Sequence, residues 1–278
     1  MSELGGRTFL VTGANTGIGK ETARGLAGRG ARVVIAGRSE EKSRAAIREI
    51  ADDTGNTDLD YVPLDLGDLA SVRAAAATFL AAGEPLHVLV NNAGLAGKRG
   101  ITASGFELAF GTNHVGTFLL TELLREHIVA SGPGRIVNVA STAHFQAKGI
   151  DWEAVRRPSV TRTALREYAV SKLANVLHAR ELGRRLEGTG VTTYSLHPGA
   201  IASDVWREVP PGLRQVLKVF MKDTAQGART TLHCATSPDL AGETGRYYDD
   251  RRKKKPSATV TDELAAELWE RSEAWVAV

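Results

Sequence analysis

The chain has 278 residues, 42% of them hydrophobic and 24% charged, a composition typical of a folded globular protein and not of a disordered one. Its formal net charge of +3 comes from 35 basic and 32 acidic residues, and this near balance argues against a nucleic-acid binder. Cys234 is the only cysteine, which excludes an intrachain disulfide and a multi-cysteine zinc site, and its apolar neighbours predict a position in the core.

Short apolar runs alternate with longer stretches of helical pattern from the first residues to about position 198. The runs that predict strands are Phe9–Val11, Arg32–Ala36, Asp60–Val62, His87–Val90, Arg135–Val139 and Val191–Leu196. The stretches that predict helices are Gly19–Arg29, Glu40–Ile50, Leu69–Ala82, Ser104–Ser131 and Ala164–Leu186. Apolar strands joined by helices are typical of a parallel sheet covered on both faces. We therefore expect an α/β fold of the Rossmann type, a doubly wound parallel sheet in a single domain.

Two segments interrupt this alternation, residues 142–163 and residues 200–223. Both follow strands, and ligands in open α/β sheets bind beyond the carboxyl ends of strands. Long loops placed there are candidates for the walls or lids of a substrate site, although residues 200–223 are equally consistent with a helix packed on the core. The basic run Arg251–Lys255 has no interleaved aromatic residues, so we expect a solvated loop and not a site for nucleic acid or lipid.

A glycine-rich turn, Thr12–Gly19, lies between the first predicted strand and the first predicted helix. In such a turn Gly13 permits the sharp bend, Gly17 lets the backbone approach a pyrophosphate, and Gly19 allows close packing of helix on strand. The N-terminus of the helix offers free N–H groups and a positive dipole to the phosphates. The residues of the turn that we expect to bind a dinucleotide are Gly13, Asn15, Thr16, Gly17, Ile18 and Gly19.

The end of the second predicted strand bears on the choice of dinucleotide. A site for NAD(H) usually has an acidic residue there, whereas an arginine accommodates the 2′-phosphate of NADP(H). Here the chain reads Ala36–Ser39, with Arg38 and no carboxylate before Glu40. Arg38 can stack on adenine and pair with a phosphate, or it can be an ordinary surface residue at the start of a helix. We expect NADP(H) to be preferred over NAD(H).

Tyr168 and Lys172 lie four residues apart in a predicted helix and so share one of its faces. A free tyrosine has a pKa near 10, but a neighbouring ammonium and an oxidised nicotinamide both favour the phenolate. Lowering the pKa by roughly 3 units requires about 4 kcal/mol, which two close charges can supply in a partly dry site. We expect Tyr168 to act as general acid in reduction and general base in oxidation.

Two further polar residues suggest parts of the same site. Ser141 lies just beyond the carboxyl end of a predicted strand, where its hydroxyl can bond a substrate oxygen and stabilise developing charge. Asn113 lies inside a predicted helix, where asparagine is locally unfavourable. It is either a tolerated surface residue or part of a distorted helix that binds a water.

Taken as an ordered set, these features resemble the short-chain dehydrogenase/reductase family over nearly the whole chain. The matching features are Thr12–Gly19, Asp65, Asn91–Gly94, Asn113, Ser141, Tyr168, Lys172 and Pro198-Gly199. The resemblance implies that Asp65 contacts adenine, Lys172 also binds the nicotinamide ribose, and Asn113 anchors a water in a proton relay. The further residues for which it implies cofactor contacts are Leu66, Asn91, Ala93, Gly94, Tyr168, Pro198, Gly199, Ile201 and Ser203. Residues 1–140 would be mainly the dinucleotide-binding half and residues 141–278 the catalytic and substrate-binding half.

Within that family the chain is most similar to the retinol dehydrogenase group. The stretches that carry this resemblance are Val11–Thr22, Ser171–Asn175, Gly190–Ser195 and His197–Gly199. The resemblance implies an NADP(H)-dependent enzyme that interconverts a carbonyl and an alcohol on an apolar small molecule. The alternative is a regulatory or scaffold protein that binds NADP(H) without turnover, since fold alone does not decide function.

The remaining expectations concern surroundings and assembly. We see no secretory signal and no run of about 20 apolar residues, so we expect a cytoplasmic protein without a membrane span. We expect no bound metal and no nucleic-acid partner. The family resemblance implies a homodimer or homotetramer.

Overall fold

The computed structural model describes residues 3–199 and 224–277. The strands are β1 (Thr8–Thr12), β2 (Arg32–Gly37), β3 (Leu59–Pro63), β4 (Val88–Asn91), β5 (Gly134–Val139), β6 (Val191–His197), β7 (Arg246–Asp249) and β8 (Arg252–Lys254). They form one sheet in the order β3-β2-β1-β4-β5-β6-β7-β8. All neighbours pair in parallel except β7 and β8, which pair antiparallel.

Helices connect the strands and cover both faces of the sheet. They are α1 (Gly17–Ala27), α2 (Glu40–Thr54), α3 (Leu69–Ala81), α4 (Leu108–Phe110), α5 (Gly116–Ala130), α6 (Leu165–Arg185), α7 (Thr224–Thr236) and α8 (Asp262–Val276). Alternate residues of β1 point to opposite faces: Leu10 joins the core under α3, α5, α6 and α8, whereas Phe9 and Val11 join the core under α1, α2 and α7. The predicted doubly wound α/β fold is confirmed.

The chain reverses its direction of strand addition between β1 and β4. β2 and β3 are added on one side of β1, and β4 to β8 follow on the other. In open α/β sheets such a reversal leaves a crevice at the carboxyl ends of the strands. This topology positions the candidate site.

The prediction that residues 251–255 form a loop is wrong, although their exposure to solvent is as predicted. Arg252–Lys254 form the edge strand β8, whose side chains are exposed as expected. Asp250 and Arg251 both have positive φ, 48° and 61°, which a tight hairpin turn requires, so the basic run can pair with β7. Charged residues on an edge strand discourage pairing with other chains.

The single helix predicted over Ser104–Ser131 is also corrected. It consists of α4, a π-helical turn at Gly111–Val115, and α5. Directly after the π-turn, a Cβ on Gly116 would lie 2.1 Å from the Leu66 carbonyl oxygen, so only glycine allows the helix to approach the segment after β3 this closely. π-turns within α-helices often mark functional sites.

Cys234 is fully buried in the core, as predicted. Among the helices in the described part of the chain, none combines the length and the apolarity that a bilayer crossing needs. The segment 200–223, with the expected contacts Ile201 and Ser203, lies outside the described residues.

Candidate active site

A cavity of about 450 Å³ opens at the carboxyl ends of the parallel strands, next to the crevice between β1 and β4. The predicted site residues that line it are Gly13, Asn15, Thr16, Gly17, Ile18, Gly19, Arg38, Asp65, Leu66, Ala93, Gly94, Ser141, Tyr168, Lys172, Pro198 and Gly199. The fold thus brings the glycine-rich turn and the Tyr-Lys pair to one cavity, although about 150 residues separate them in the sequence.

The glycine-rich turn has the geometry that a pyrophosphate site needs. Gly13 and Gly17 have φ of 66° and 58°, in the left-handed region that favours glycine. A Cβ on Gly19 would lie 2.4 Å from Asn92 Nδ2 and 2.6 Å from the Gly13 carbonyl oxygen. Thr16 precedes α1 without a side-chain capping bond, which leaves N–H groups of the first turn for a ligand. The turn therefore fits the phosphates of a dinucleotide.

The ends of β1 and β4 are joined by hydrogen bonds. Thr12 Oγ1 accepts from the backbone N–H groups of Asn92 and Ala93, at 3.0 and 2.9 Å. Asn92 Nδ2 donates in return to the Thr12 carbonyl at 2.8 Å. Sequence reasoning gave neither Thr12 nor Asn92 a role, although both lie in the matched motifs. Their pairing holds Ala93 and Gly94 beside the glycine turn.

Asn91 does not line the cavity. Its buried Nδ2 donates to Thr121 Oγ1 at 3.0 Å and to Asn138 Oδ1 at 2.9 Å. The side chain therefore joins β4 to α5 and β5, and Asn92 lines the cavity in its place. The expected contact between Asn91 and the cofactor stays a prediction, and the Asn91 side chain, bonded to α5 and β5, does not support it.

The Tyr-Lys pair is buried at the cavity wall. Tyr168 and Lys172 are four positions apart on α6 and therefore share one of its faces. Their side chains are only 5% and 3% exposed. Lys172 Nζ lies 5.7 Å from the centre of the Tyr168 ring and donates to the Val139 carbonyl at 2.8 Å. Tyr168 also makes a side-chain hydrogen bond with Ser141. These contacts bring the predicted proton donor, amine and hydroxyl together.

Burial shifts both ionisable groups toward their neutral forms. It raises the pKa of Tyr168 to about 12, and the hydrogen bond with Ser141 opposes this shift only in part. It lowers the pKa of Lys172 to about 8. The expected lowering of the Tyr168 pKa is therefore not produced by the protein residues alone, because the loss of water outweighs the hydrogen bond with Ser141 and Lys172 is not among the groups that shift this pKa.

Asn113 lies in the π-turn and is fully buried, so its interpretation as a surface residue is wrong and the distorted helix is confirmed. Its Oδ1 accepts from the Leu95 N–H at 2.9 Å, and its Nδ2 donates to the Leu95 carbonyl at 3.0 Å and to Ser171 Oγ at 2.9 Å. The side chain thus ties the loop after β4 to α6, one residue before Lys172. That Asn113 anchors a water stays a prediction.

The segment 142–163 contributes to the wall of the cavity. Thr142, Ala143 and Gln146 line it, in a 3₁₀ turn at Thr142–Gln146. Farther along, Ser159 hydrogen-bonds the buried carboxylate of Glu107, and burial raises the pKa of that carboxyl group. Sequence reasoning missed Glu107, because nothing in its local sequence distinguishes it.

Two cationic residues, Arg38 and Lys98, lie in the region where Arg38 was expected to bind a phosphate. Arg38 is exposed and lines both the main cavity and an adjoining one of about 160 Å³. Lys98 and Asp65 line the smaller cavity as well. Asp65 Oδ1 accepts from the Gly67 N–H at 2.9 Å. Lys98 is a further residue that sequence reasoning did not single out.

Within the ranges that the structure describes, no cluster of His, Cys, Asp and Glu could hold a metal ion.

Comparisons with known proteins show the family to which this chain belongs. The family model for short chain dehydrogenases matches residues 7–213. Mouse retinol dehydrogenase 12 is 45% identical over 271 residues, which cover 96% of this chain and 85% of that protein. A crystal structure of an uncharacterised protein from Mycobacterium paratuberculosis is similar with a TM-score of 0.77 at 32% identity, covering 98% of this chain and 94% of the other. A variant of actinorhodin polyketide ketoreductase, solved with NADPH, has a TM-score of 0.67 at 28% identity, covering 87% and 95% of the two chains.

Proposed function

Because the chain belongs to the short-chain dehydrogenase/reductase family and is similar to retinol dehydrogenases, we propose that it interconverts a carbonyl and an alcohol on a lipophilic small molecule, with NADP(H) preferred over NAD(H). One observation carries the proposal: Ser141, Tyr168 and Lys172 meet at the cavity that the glycine-rich turn also lines. When bound, the dinucleotide supplies or accepts the hydride.

The protein residues then handle the proton. In reduction, Tyr168 donates its hydroxyl proton to the substrate oxygen, and in oxidation it takes the proton back. Ser141 bonds the same oxygen and stabilises the charge that develops on it. Lys172 holds a positive charge close to the phenol ring, which favours the phenolate. The glycine turn, Asp65 and the Pro198-Gly199 pair would hold the dinucleotide.

A carbonyl-substrate screen that follows NADPH absorbance tests the reaction type. We expect turnover on apolar aldehydes or ketones, and a loss of about 10²- to 10⁴-fold in kcat in Tyr168→Phe with NADPH still bound. The matched control is Tyr247→Phe, because this buried tyrosine has no hydrogen-bond partner for its hydroxyl among the described residues and does not line the cavity. A Tyr168→Phe protein that keeps most of its turnover contradicts the mechanism. NADPH binding without turnover across the panel favours the regulatory or scaffold function.

The preference for NADP(H) rests on Arg38, with Lys98 as a second cation on the adjoining cavity. We expect Arg38→Gln to weaken NADPH binding by about tenfold or more and to leave NADH binding nearly unchanged, because only NADPH carries the extra phosphate. Arg48→Gln, at an exposed position on α2 that lines neither cavity, is the control. Tighter binding of NADH than of NADPH by the unaltered protein contradicts the preference.

The lipophilic substrate class is supported by the similarity to mouse retinol dehydrogenase 12. Phe145 and Val160, which are 51% and 77% exposed, add apolar surface on the segment 142–163. A cytoplasmic location and a homodimer or homotetramer complete the proposal. Fractionation of expressing cells and light scattering on the purified protein test these two points.

A further inference from the structure

A row of buried polar side chains continues along α6 behind Lys172. Asn175 and His178 follow at intervals of three residues, and each is 2% exposed. Neither residue lines the main cavity, so neither can touch a substrate or dinucleotide there. Buried polar groups cost free energy unless they are hydrogen-bonded, which raises the question of what these two residues do.

The position of the Lys172 ammonium depends on one carbonyl group. Among the described residues, the Val139 carbonyl is the acceptor that Lys172 Nζ reaches, at 2.8 Å. Asn175 Nδ2 lies 3.5 Å from the same oxygen. No carboxylate is among the causes that shift the pKa of Lys172, which is lowered by burial alone. The orientation of the Val139 carbonyl at the end of β5 therefore determines where the ammonium lies.

Asn138, the residue before Val139, connects this carbonyl to its surroundings. Its Nδ2 donates to the Asn175 carbonyl at 3.3 Å and lies 3.2 Å from His178 Nδ1. Its Oδ1 accepts from Asn91 Nδ2 at 2.9 Å. All four side chains are at most 3% exposed, so water does not compete for these bonds. The amide of Asn138 is thus fixed from β4 on one side and from α6 on the other.

The tautomer of His178 follows from this arrangement. Burial lowers its pKa to about 3, so the ring is neutral. Since Asn138 Nδ2 is a donor, we assign His178 Nδ1 as its acceptor and place the ring proton on Nε2, which has no hydrogen-bond partner among the described residues. The ring also packs against Phe118 and Trp269, with centroid distances of 5.3 and 5.8 Å. His178 therefore both fills space and supplies one hydrogen-bond acceptor, and the two roles can be separated.

We propose that His178 is a positioning residue that holds the Asn138 amide in place. Asn138 and Asn175 together orient the Val139 carbonyl, and this carbonyl places the Lys172 ammonium beside Tyr168. This inference rests on the proposed function for its kinetic consequence. The alternative role of His178 is packing only.

Two substitutions separate the roles. His178→Phe keeps a ring for the aromatic contacts but removes the acceptor, and His178→Asn keeps an acceptor near the Nδ1 position but loses the volume of the ring. For positioning, we expect His178→Phe to lower kcat about tenfold and to move the Lys172 pKa about one unit lower, because the ammonium loses part of its support. We expect His178→Asn to lower Tm more, yet to restore kcat and the Lys172 pKa toward their original values.

The Lys172 pKa is measured without turnover, by acetylation with acetic anhydride at a series of pH values and peptide mass spectrometry of the folded fraction. Leu182→Val, at a fully buried apolar position on the same helix, is the control for stability loss alone. Asn138→Leu is the second variant, which should shift the Lys172 pKa in the same direction as His178→Phe.

Two outcomes would show that the proposal is wrong. One is a Lys172 pKa that is unchanged from the unaltered protein in both His178→Phe and Asn138→Leu, and the other is a kcat that follows Tm across the variants. An unaltered protein without turnover refutes the proposed function, while the acetylation result still decides on positioning.

Discussion

At the scale of single residues, the candidate site stands out because a phenol and an amine are buried side by side. Burial raises the pKa of Tyr168 and lowers that of Lys172, so each group is shifted toward its neutral form. A neutral Tyr168 can donate a proton, which suits reduction, whereas a charged Lys172 is needed to stabilise the phenolate that is left behind. The two requirements hold together only below the pKa of Lys172.

The first prediction concerns the pH dependence of reduction. Lys172 carries its charge below its pKa of about 8 and loses it above, and Tyr168, with a pKa of about 12, stays protonated throughout this range. We therefore expect kcat for reduction to be level below pH 8 and to fall as the pH rises through it. Lys172→Arg keeps the charge at all these pH values, so its profile should lack this fall even if its maximal rate is lower. A level profile of the unaltered protein from pH 7 to about 9.5 would contradict the assignment.

The second prediction concerns Gly19 in the dinucleotide turn. In Gly19→Ala the new Cβ would lie 2.4 Å from Asn92 Nδ2 and 2.6 Å from the Gly13 carbonyl oxygen, so the turn has to move. We expect NADPH affinity to fall by at least about tenfold, or 1.4 kcal/mol, as measured by fluorescence titration. Gly28→Ala is the control at the C-terminal end of α1, where the nearest atom to a Cβ is 3.4 Å away and the residue does not line the cavity. Equal affinities of the two variants would show that the turn does not hold the dinucleotide.

At the scale of elements, the break between α4 and α5 shows how tertiary contacts override helical pattern. The apolar spacing predicts one helix, but Asn113 bonds the Leu95 backbone and Gly116 contacts the Leu66 carbonyl, and the chain forms a π-turn between them. The π-turn also buries His114 against α8, where its Nε2 lies 2.9 Å from Ser272 Oγ. The position of Asn113 is therefore set by contacts from three separate parts of the chain.

The third prediction tests this contact. Gly116→Ala would place a Cβ 2.1 Å from the Leu66 carbonyl oxygen and 2.9 Å from its carbonyl carbon, and a backbone cannot give way as a flexible side chain does. We expect a loss of about 1–3 kcal/mol in the free energy of unfolding, measured by urea denaturation. Gly28→Ala, where the nearest atom lies 3.4 Å from a Cβ and φ is −64°, should cost far less. Similar losses for both variants would mean that the close approach of α5 to Leu66 does not constrain residue 116 to glycine.

The same elements show what could be predicted from sequence and what could not. β1 to β6 were predicted to within a few residues, because buried parallel strands are apolar runs between helices. β7 and β8 were not, since Arg246–Asp249 and Arg252–Lys254 begin and end in charged residues and are formed by pairing with their neighbours. Most predicted cofactor residues lie in contiguous motifs and line the cavity. The roles of Asn91, Glu107 and His178 depend on partners about 50, 50 and 40 residues away, which spacing alone does not reveal.

At the scale of the whole molecule, the layer of helices that supports the site contains two neutral histidines. His114 and His178 are both fully buried, with ring centres 5.9 Å apart, and burial lowers the pKa of each far below its usual range. In an unfolded chain both would take up a proton near pH 6.5. The folded state therefore binds fewer protons than the unfolded state below that pH, and it loses stability as the pH falls. Glu107 and Glu122, whose pKa values are raised, act in the opposite sense, and for Glu122 this effect lies between about pH 4.5 and 6.

The last prediction isolates one histidine within this balance. Between pH 6.5 and about 3, the range between the unfolded and folded pKa values of His178, the unaltered protein should lose about 1.4 kcal/mol per pH unit more than His178→Phe, which has no ring to protonate. The carboxylates are the same in both proteins, so their effects cancel in the difference. Urea denaturation at a series of pH values, followed by tryptophan fluorescence, to which the buried Trp269 contributes, measures it. Leu182→Val removes only apolar volume and should shift the stability equally at every pH. If the unaltered protein and His178→Phe instead lose stability in parallel, His178 is charged or accessible in the folded state, and the neutral acceptor on which the placement of Lys172 depends does not exist.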